Sequence, residues 1–247
     1  APYIVPDDDP GALESKMNVF SWVNDYDDIT NDKTFNGSLN LNWNINKYFS
    51  YSLRAGGNIV VNDRKRWYGI QLPPGENVKG LLAISNKSNY TVENLLNFNM
   101  DLTKDFRLSA TAGITYDEYH FLTENVSGNT FSIYDLRTKG LSNAGKVDVK
   151  QPIQKDYQLL SYLGRVNLSA YDKYLLTASL RADGSSKFKK GNRWAYFPSF
   201  SLAWRMEQEA YMKNIDWLSQ LKVRVGYGET GNQGIDPYQS LSIYENK

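Results

Sequence analysis

The 247-residue chain has no cysteine and one histidine. The first absence removes disulfide frameworks, thiolate metal sites and cysteine nucleophiles together. The second leaves His120, in YDEYHFL, without a partner for a zinc site or a catalytic triad. Charge of one sign is lacking too: 28 Lys and Arg face 27 Asp and Glu, which gives no broad footprint for nucleic acid. No run of about 18 apolar residues occurs, so no membrane-spanning helix is expected. The first twenty residues, APYIVPDDDPGALESKMNVF, hold no basic segment followed by an apolar one, so no signal peptide is expected at this start. Phosphate-cradling loops and the G-x-S-x-G elbow are missing. Ser219 and Lys222 match S-x-x-K without its companion motifs, so no enzyme is expected.

What the chain has in abundance is alternation. In TFNGSLNLNWNIN, Phe35, Leu39, Leu41, Trp43 and Ile45 fall on one side of an extended strand, and Asn36, Ser38, Asn40, Asn42 and Asn44 on the other. The pattern resumes after Asn46-Lys47 and recurs in three further pairs: about 90–116, 158–181 and 196–227. This amounts to about eight strands in four hairpins. A mean hydropathy of −0.55 does not argue against a membrane wall of this kind, because every second residue of such a strand is polar.

Connection lengths alternate as well. Tight turns fall at 46–47, 103–105 and 171–173, and long polar loops are expected at about 64–87 and 118–157. Short turns on one rim, long loops on the other, strands of about 11 residues and aromatics near the turns (Trp43, Tyr48, Phe49, Phe106, Tyr171, Tyr174, Trp204) are the pattern of an antiparallel transmembrane β-barrel. A soluble β-sandwich that binds carbohydrate, and a self-contained eight-stranded barrel, share the alternation and stay open here.

Few residues suggest chemistry. Asp7 to Asp9 and the stretch Asn24 to Asp32 could offer oxygen ligands, yet their spacing departs from a calcium loop and a solvated loop is expected. Trp67 and Tyr68, beside a Pro-Pro-Gly turn, are candidate loop aromatics for stacking on a sugar or a peptide side chain. Lys187, Lys189, Lys190 and Arg193 fall in or beside one loop and are read as solvated.

One long ordered stretch is specific. LRADGSSKFKKGNRWAYFPSFSLAWRMEQEAYMKN, followed by LSQLKVRVGYGETGNQGIDPY, resembles a signature of SusC-like (RagA-type) TonB-dependent outer-membrane transporters. The matching positions include Arg181, Asp183, Gly184, Ser185, Ser186, Phe188, Asn192, Arg193, Trp194, Phe197 and Pro198. They continue through Ser199, Trp204, Arg205, Leu221, Lys222, Arg224, Tyr227, Gly228, Thr230, Gly231, Asn232 and Gln233. The resemblance implies an all-β fold, with about eight strands of a larger, 22-stranded outer-membrane barrel over 34–247. Residues 1–33 are then a loop leading in, and the plug domain is absent from this chain. It further implies TonB-energised import of glycans or peptides, a SusD-like surface lipoprotein as partner, contact with membrane lipid and lipopolysaccharide, and no catalytic residue, cofactor or metal.

Overall fold

The computed structural model describes residues 19–70, 72, 78–212 and 217–238. A seven-residue helix, α1 (Val19–Asp25), leads into β1 (Tyr26–Asn44). Then come β2 (Phe49–Tyr68), β3 (Lys79–Asp101), β4 (Phe106–Phe131), β5 (Ala144–Ala170), β6 (Tyr174–Ser185), β7 (Trp194–Arg205) and β8 (Lys222–Gly228). All eight lie in one sheet in chain order, so β1 and β8 are its end strands. Expected strand number and tight-turn positions are both met.

The turns are built from their own side chains. Asn46 Oδ1 accepts from the backbone N–H of Tyr48 and Phe49 at 2.8 and 2.9 Å, a local substitute for ladder bonds that favours Asn at this position. Between β5 and β6, Tyr171 and Asp172 adopt φ of 54° and 53°, and Lys173 N–H closes on the Ala170 carbonyl at 3.0 Å. Neighbouring turns are stitched together, since Tyr171 N–H donates to Asp105 O at 2.6 Å and Arg205 N–H to Lys173 O at 2.8 Å.

The expected long loops are mostly strand. β2 runs on to Tyr68, β3 opens at Lys79, β4 runs to Phe131 and β5 opens at Ala144, and part of the connection between β4 and β5 is a 3-10 turn at Arg137–Asn143. Residues 26–33, expected as loop, open β1. In β1 and β2 polar residues occupy both faces of the extension, as Asp27 with Asp28 and Arg64 with Lys65 show, which hides a strand from any search for alternating apolar positions.

Two compact units are distinguished: Ala1–Phe35 with Asn58–Ser88 and His120–Gln154, and Asn36–Gly57 with Asn89–Tyr119 and Lys155–Lys247. The first has a small conventional core. Trp67, wholly buried, meets Phe131 edge-to-face at 4.8 Å, and Leu141, Val78, Leu82, Val126 and Ala144 complete the cluster. A side chain at Gly128 would approach Leu141 and Ala144 to 2.8 Å, so only glycine lets these elements close. Arg137 Nη1 to Asp27 at 2.7 Å ties the 3-10 turn to β1.

In the second unit Ala203 is the one buried hydrophobic residue among those described. An uncovered apolar face runs along its strands: Leu39 is 60% exposed, Trp43 60%, Phe200 50% and Val225 71%. A soluble sandwich would bury this face beneath a second sheet. The described strands supply no second sheet.

Candidate functional site

Antiparallel pairing puts the signature residues to work on one face of the second unit. β5 pairs with β6 in a register that sets Ser161 opposite Asp183, and β6 pairs with β7 so that Ser179 faces Ser199 and Leu180 faces Pro198. Odd-numbered residues here form the polar face. Arg181 Nε donates to Asp183 Oδ1 at 2.7 Å and its Nη2 to Ser161 Oγ, almost wholly buried, at 3.0 Å. The row continues with Ser179 to Ser199 at 2.6 Å, Thr177 to Asn167 at 2.8 Å and Asn167 to Ser109 at 3.3 Å. Most of these bonds join neighbouring strands, and Arg181 to Asp183 runs along β6, so the row braces the face.

Other signature residues shape the loop between β6 and β7. Gly184 is needed because a side chain there would meet the Trp194 indole at 2.9 Å. Ser186 exchanges bonds with Gln158, its N–H donating to Gln158 O at 2.9 Å and its Oγ accepting from Gln158 N–H at 2.8 Å. Within the loop, Phe188 N–H bonds Ser185 O at 3.4 Å, Asn192 N–H bonds Lys189 O at 3.0 Å, and Arg193 Nε bonds Phe188 O at 3.3 Å.

β8 accompanies β7 only as far as the Gly228–Ser199 pair. Beyond it, residues 229–238 run across to β5 and β6. Ser185 Oγ donates to Gln233 Oε1 at 3.1 Å, Lys187 Nζ to Gln233 O at 3.2 Å, and Lys155 Nζ to Asp236 at 2.9 Å. Gly231 sits on the Phe197 ring, and Asn232 Oδ1 accepts from Gly234 N–H at 2.8 Å, while Thr230 is exposed. Lys187, expected to be solvated, is instead bonded here and also lies 4.2 Å over the Tyr157 ring. Lys189, Lys190 and Arg193 are exposed.

Where β7 ends, Glu209 gathers Lys173 Nζ at 2.8 Å, Trp204 Nε1 at 3.0 Å and Tyr174 OH at 3.1 Å. These donors, Lys173 first, hold its carboxyl below the usual carboxylate range. The Tyr174 and Trp204 rings stack at 6.4 Å, and Phe106 meets Tyr171 at 5.0 Å, so the turn-end aromatics do form a band.

The candidate aromatics Trp67 and Tyr68 part company. Both lie in β2, not in a loop, and period-two alternation sends them to opposite faces. Trp67 enters the core of the first unit and is out of reach of any ligand. Tyr68, half-buried, joins the polar face, where Tyr26 meets it at 5.1 Å and Trp22 meets Tyr26 at 5.2 Å. Beside them Arg64 forks onto Asp28 with bonds of 2.8 and 2.6 Å, Arg66 Nε reaches the same carboxylate at 3.2 Å, and Asn62 bonds Asp32. Burial, with the neighbouring Tyr68 and Asp28, pushes the Tyr26 phenol up.

The acidic stretch expected as a solvated loop is therefore largely paired: Asp27 with Arg137, Asp28 with two arginines, Asp32 with Asn62. Asp7 to Asp9 lie outside the described residues. No cluster of metal-ligating side chains occurs among the described residues, His120 is an exposed residue of β4, and Lys222 opens β8 opposite Arg205. Sequence reasoning misses Arg64 and Arg66 and takes Tyr26 and Asp28 as part of a solvated loop. The signal lies in NDRKRWY, where Asn62, Arg64, Arg66 and Tyr68 already alternate with Asp63, Lys65 and Trp67.

Comparison with known proteins agrees with this geometry. The chain is 33% identical over 173 residues to TonB-dependent receptor P26 of Formosa agariphila, covering 68% of the chain and 17% of that receptor. Over 87 residues it is 47% identical to TonB-dependent receptor SusC of Bacteroides thetaiotaomicron, which is 35% of the chain and 9% of SusC. The chain thus spans less than a fifth of the length of either relative. A structure of the RagAB peptide transporter shares the fold with a TM-score of 0.75 at 22% identity, over 86% of the chain and 24% of the transporter chain. The model of the TonB dependent receptor-like β-barrel family matches residues 5–245, and the chain belongs to that family.

Proposed function

We propose that this chain forms part of the wall of an outer-membrane, SusC-like transporter that imports nutrients, glycans or peptides, with energy delivered through TonB and with a SusD-like surface lipoprotein as partner. The observation that carries this reading is the two-faced single sheet of the second unit. One face holds Leu39, Trp43, Leu180, Phe200 and Val225 uncovered, as hydrocarbon requires. The other is a row of mutually bonded polar side chains suited to a wet interior. Every strand but the two end ones has ladder partners on both sides, and lipid penalises an unpaired backbone group by several kcal/mol, so further strands must cover β1 and β8.

Gene deletion in the host, followed by uptake of labelled oligosaccharides and peptides with and without TonB, tests the proposal. The expected result is loss of uptake on deletion of either gene. Uptake that persists without TonB would refute energised transport.

A further inference from the structure

In the second unit, the loop between β6 and β7 and the apolar wall beneath it form a column that the transport reading leaves unassigned. The exposed side chains of Lys189, Lys190 and Arg193 crown it, and no Asp or Glu occurs from Gly184 to Met206. Asp183, the acid just before them, is already bonded to Arg181. Arg193 is oriented by its Nε on the Phe188 carbonyl, while neither lysine ammonium meets an acceptor among the described residues. Just below, the pairing of Tyr162 with Ala182 and of Gly184 with Trp194 puts Tyr162 and Trp194 on the apolar face with Leu180 and Phe200. Their rings stack at 5.7 Å and stay 45% and 46% exposed. Farther down the same face lies an apolar hollow of about 620 Å³, lined by Leu180, Gly164, Ala178, Ala110, Ala112 and Phe98 among others. Small residues leave this space: Gly164 faces Leu180, Ala178 faces Val166, and nothing lies within 4 Å of where a side chain on Gly164 would begin.

We infer that this column seats one phosphorylated glycolipid of the outer leaflet, its phosphate on the Lys189, Lys190 and Arg193 loop and one acyl chain in the hollow, an inference that rests on the outer-membrane reading above. The loop stands at the end of the sheet opposite the tight turns, which is the extracellular end of such a barrel. The levels match a lipid. Gly184 to Ala178 is six residues, about 20 Å along the strand and about 15 Å along the membrane normal at a tilt of about 40°, the depth of one leaflet of hydrocarbon. Tyr162 and Trp194 thus stand where headgroup gives way to chain, the depth that amphipathic rings favour. Charge selects the headgroup. A zwitterionic phospholipid brings its own ammonium to three unbalanced cations, whereas a phosphate on a sugar brings only the complementary sign. Two ammoniums and a guanidinium fork can together meet the oxygens of one phosphate monoester. The hollow adds the chain: side chains flank it on both sides, and dispersion attraction grows with the number of atoms in contact. Lys187 takes no part, since its ammonium is turned to Gln233 and the Tyr157 ring.

The test is native mass spectrometry of the full-length receptor purified in detergent and titrated with lipid A, with dephosphorylated lipid A, phosphatidylethanolamine and phosphatidylglycerol as the other arms. One lipid A per receptor is expected to bind about tenfold or more tighter than any of the three. The double variant Lys189→Ala with Lys190→Ala should weaken lipid A about tenfold and erase the preference for the phosphorylated form, whereas arginine at both positions should stay within about threefold. Gly164→Leu, whose side chain has open space to enter, should weaken both forms of lipid A about fivefold and keep the preference between them. Lys104→Ala, an exposed lysine in the turn between β3 and β4, should change nothing. Variants are compared after eluting with the parent receptor and melting at its temperature, which excludes misfolding. Equal binding of the phosphorylated and dephosphorylated forms overturns the inference, as does phosphatidylglycerol binding as tight as lipid A, lipid A binding indifferent to both the lysine and the Gly164 variants, or no lipid retained. Failure of the outer-membrane reading shows separately, as a receptor that stays monodisperse in water without detergent.

Discussion

Leu39→Arg and Asn40→Arg place the same charge on adjacent residues of β1, and strand alternation turns them to opposite faces. Leu39 precedes Ile45, beside the tight turn, by six residues, or about 20 Å along the strand. At the usual tilt of about 40° that is about 15 Å along the membrane normal, close to the middle of a hydrocarbon layer about 30 Å thick. Arginine on the lipid face at that depth costs about 2–4 kcal/mol, a shift of roughly 30- to 700-fold in the folding equilibrium. Asn40→Arg adds a cation to the wet face and should cost well under 1 kcal/mol. Urea unfolding of the full-length receptor in vesicles, followed by tryptophan fluorescence, reads both values. A penalty for Asn40→Arg equal to that for Leu39→Arg would refute the assignment of faces, and with it the membrane reading of this sheet.

The buried core and the turn rim carry expectations of their own. Trp67 is fully buried and its indole N–H has no partner, so Trp67→Ala should cost about 3–5 kcal/mol, whereas Trp67→Phe should cost about 1 kcal/mol or less because it removes the stranded donor. Hydrogen exchange across residues 60–68 in the full-length receptor distinguishes the two. Glu209 has a depressed folded pKa, so its contribution is present above the unfolded carboxylate value of about 4.3 and is lost as pH falls through the folded value. The turn rim around Lys173 and Trp204 should therefore loosen only in that acid window, and Glu209→Gln should loosen it at neutral pH and flatten the pH dependence. Thermal unfolding from pH 3 to 7 reports this.

Legibility in the sequence depends on which side of the strand meets hydrocarbon. Near the tight turns an apolar residue is obligatory at every second position, and Phe35 to Ile45 or Tyr174 to Leu180 announce their strands and faces without help. In the first unit both faces of the strands carry polar residues, so the continuation of β1 to Tyr26 and of β2 to Tyr68 leaves no apolar rhythm, and 64–87 reads as loop. The error carries through to the site. Taken as loop residues, Trp67 and Tyr68 look equivalent; as strand neighbours they cannot share a face, and one becomes core while the other joins Tyr26 and Arg66. Arg137 meeting Asp27 across 110 residues of sequence has no local signal at all.

The signature itself is legible as a pattern but not as a cause, and Pro198 supplies the cause. Its carbonyl accepts from Glu229 N–H at 3.0 Å, so the backbone polar groups of residue 198 point toward β8, and on that side proline has no N–H to return. The ladder between β7 and β8 ends there, just past the Ser199–Gly228 pair. Freed from β7, residues 229–238 can cross the polar face. The remaining signature residues then fall into place as the conditions for that crossing. Gly231 admits the backbone over Phe197, Ser185 and Lys187 fix Gln233, and Gly184, at the same loop end of the hairpin, gives Trp194 room. Residues far apart in the chain thus belong to one event, the conversion of a wall strand into a strap, which explains why DGSS, FP and TGNQG stand together in a single ordered motif.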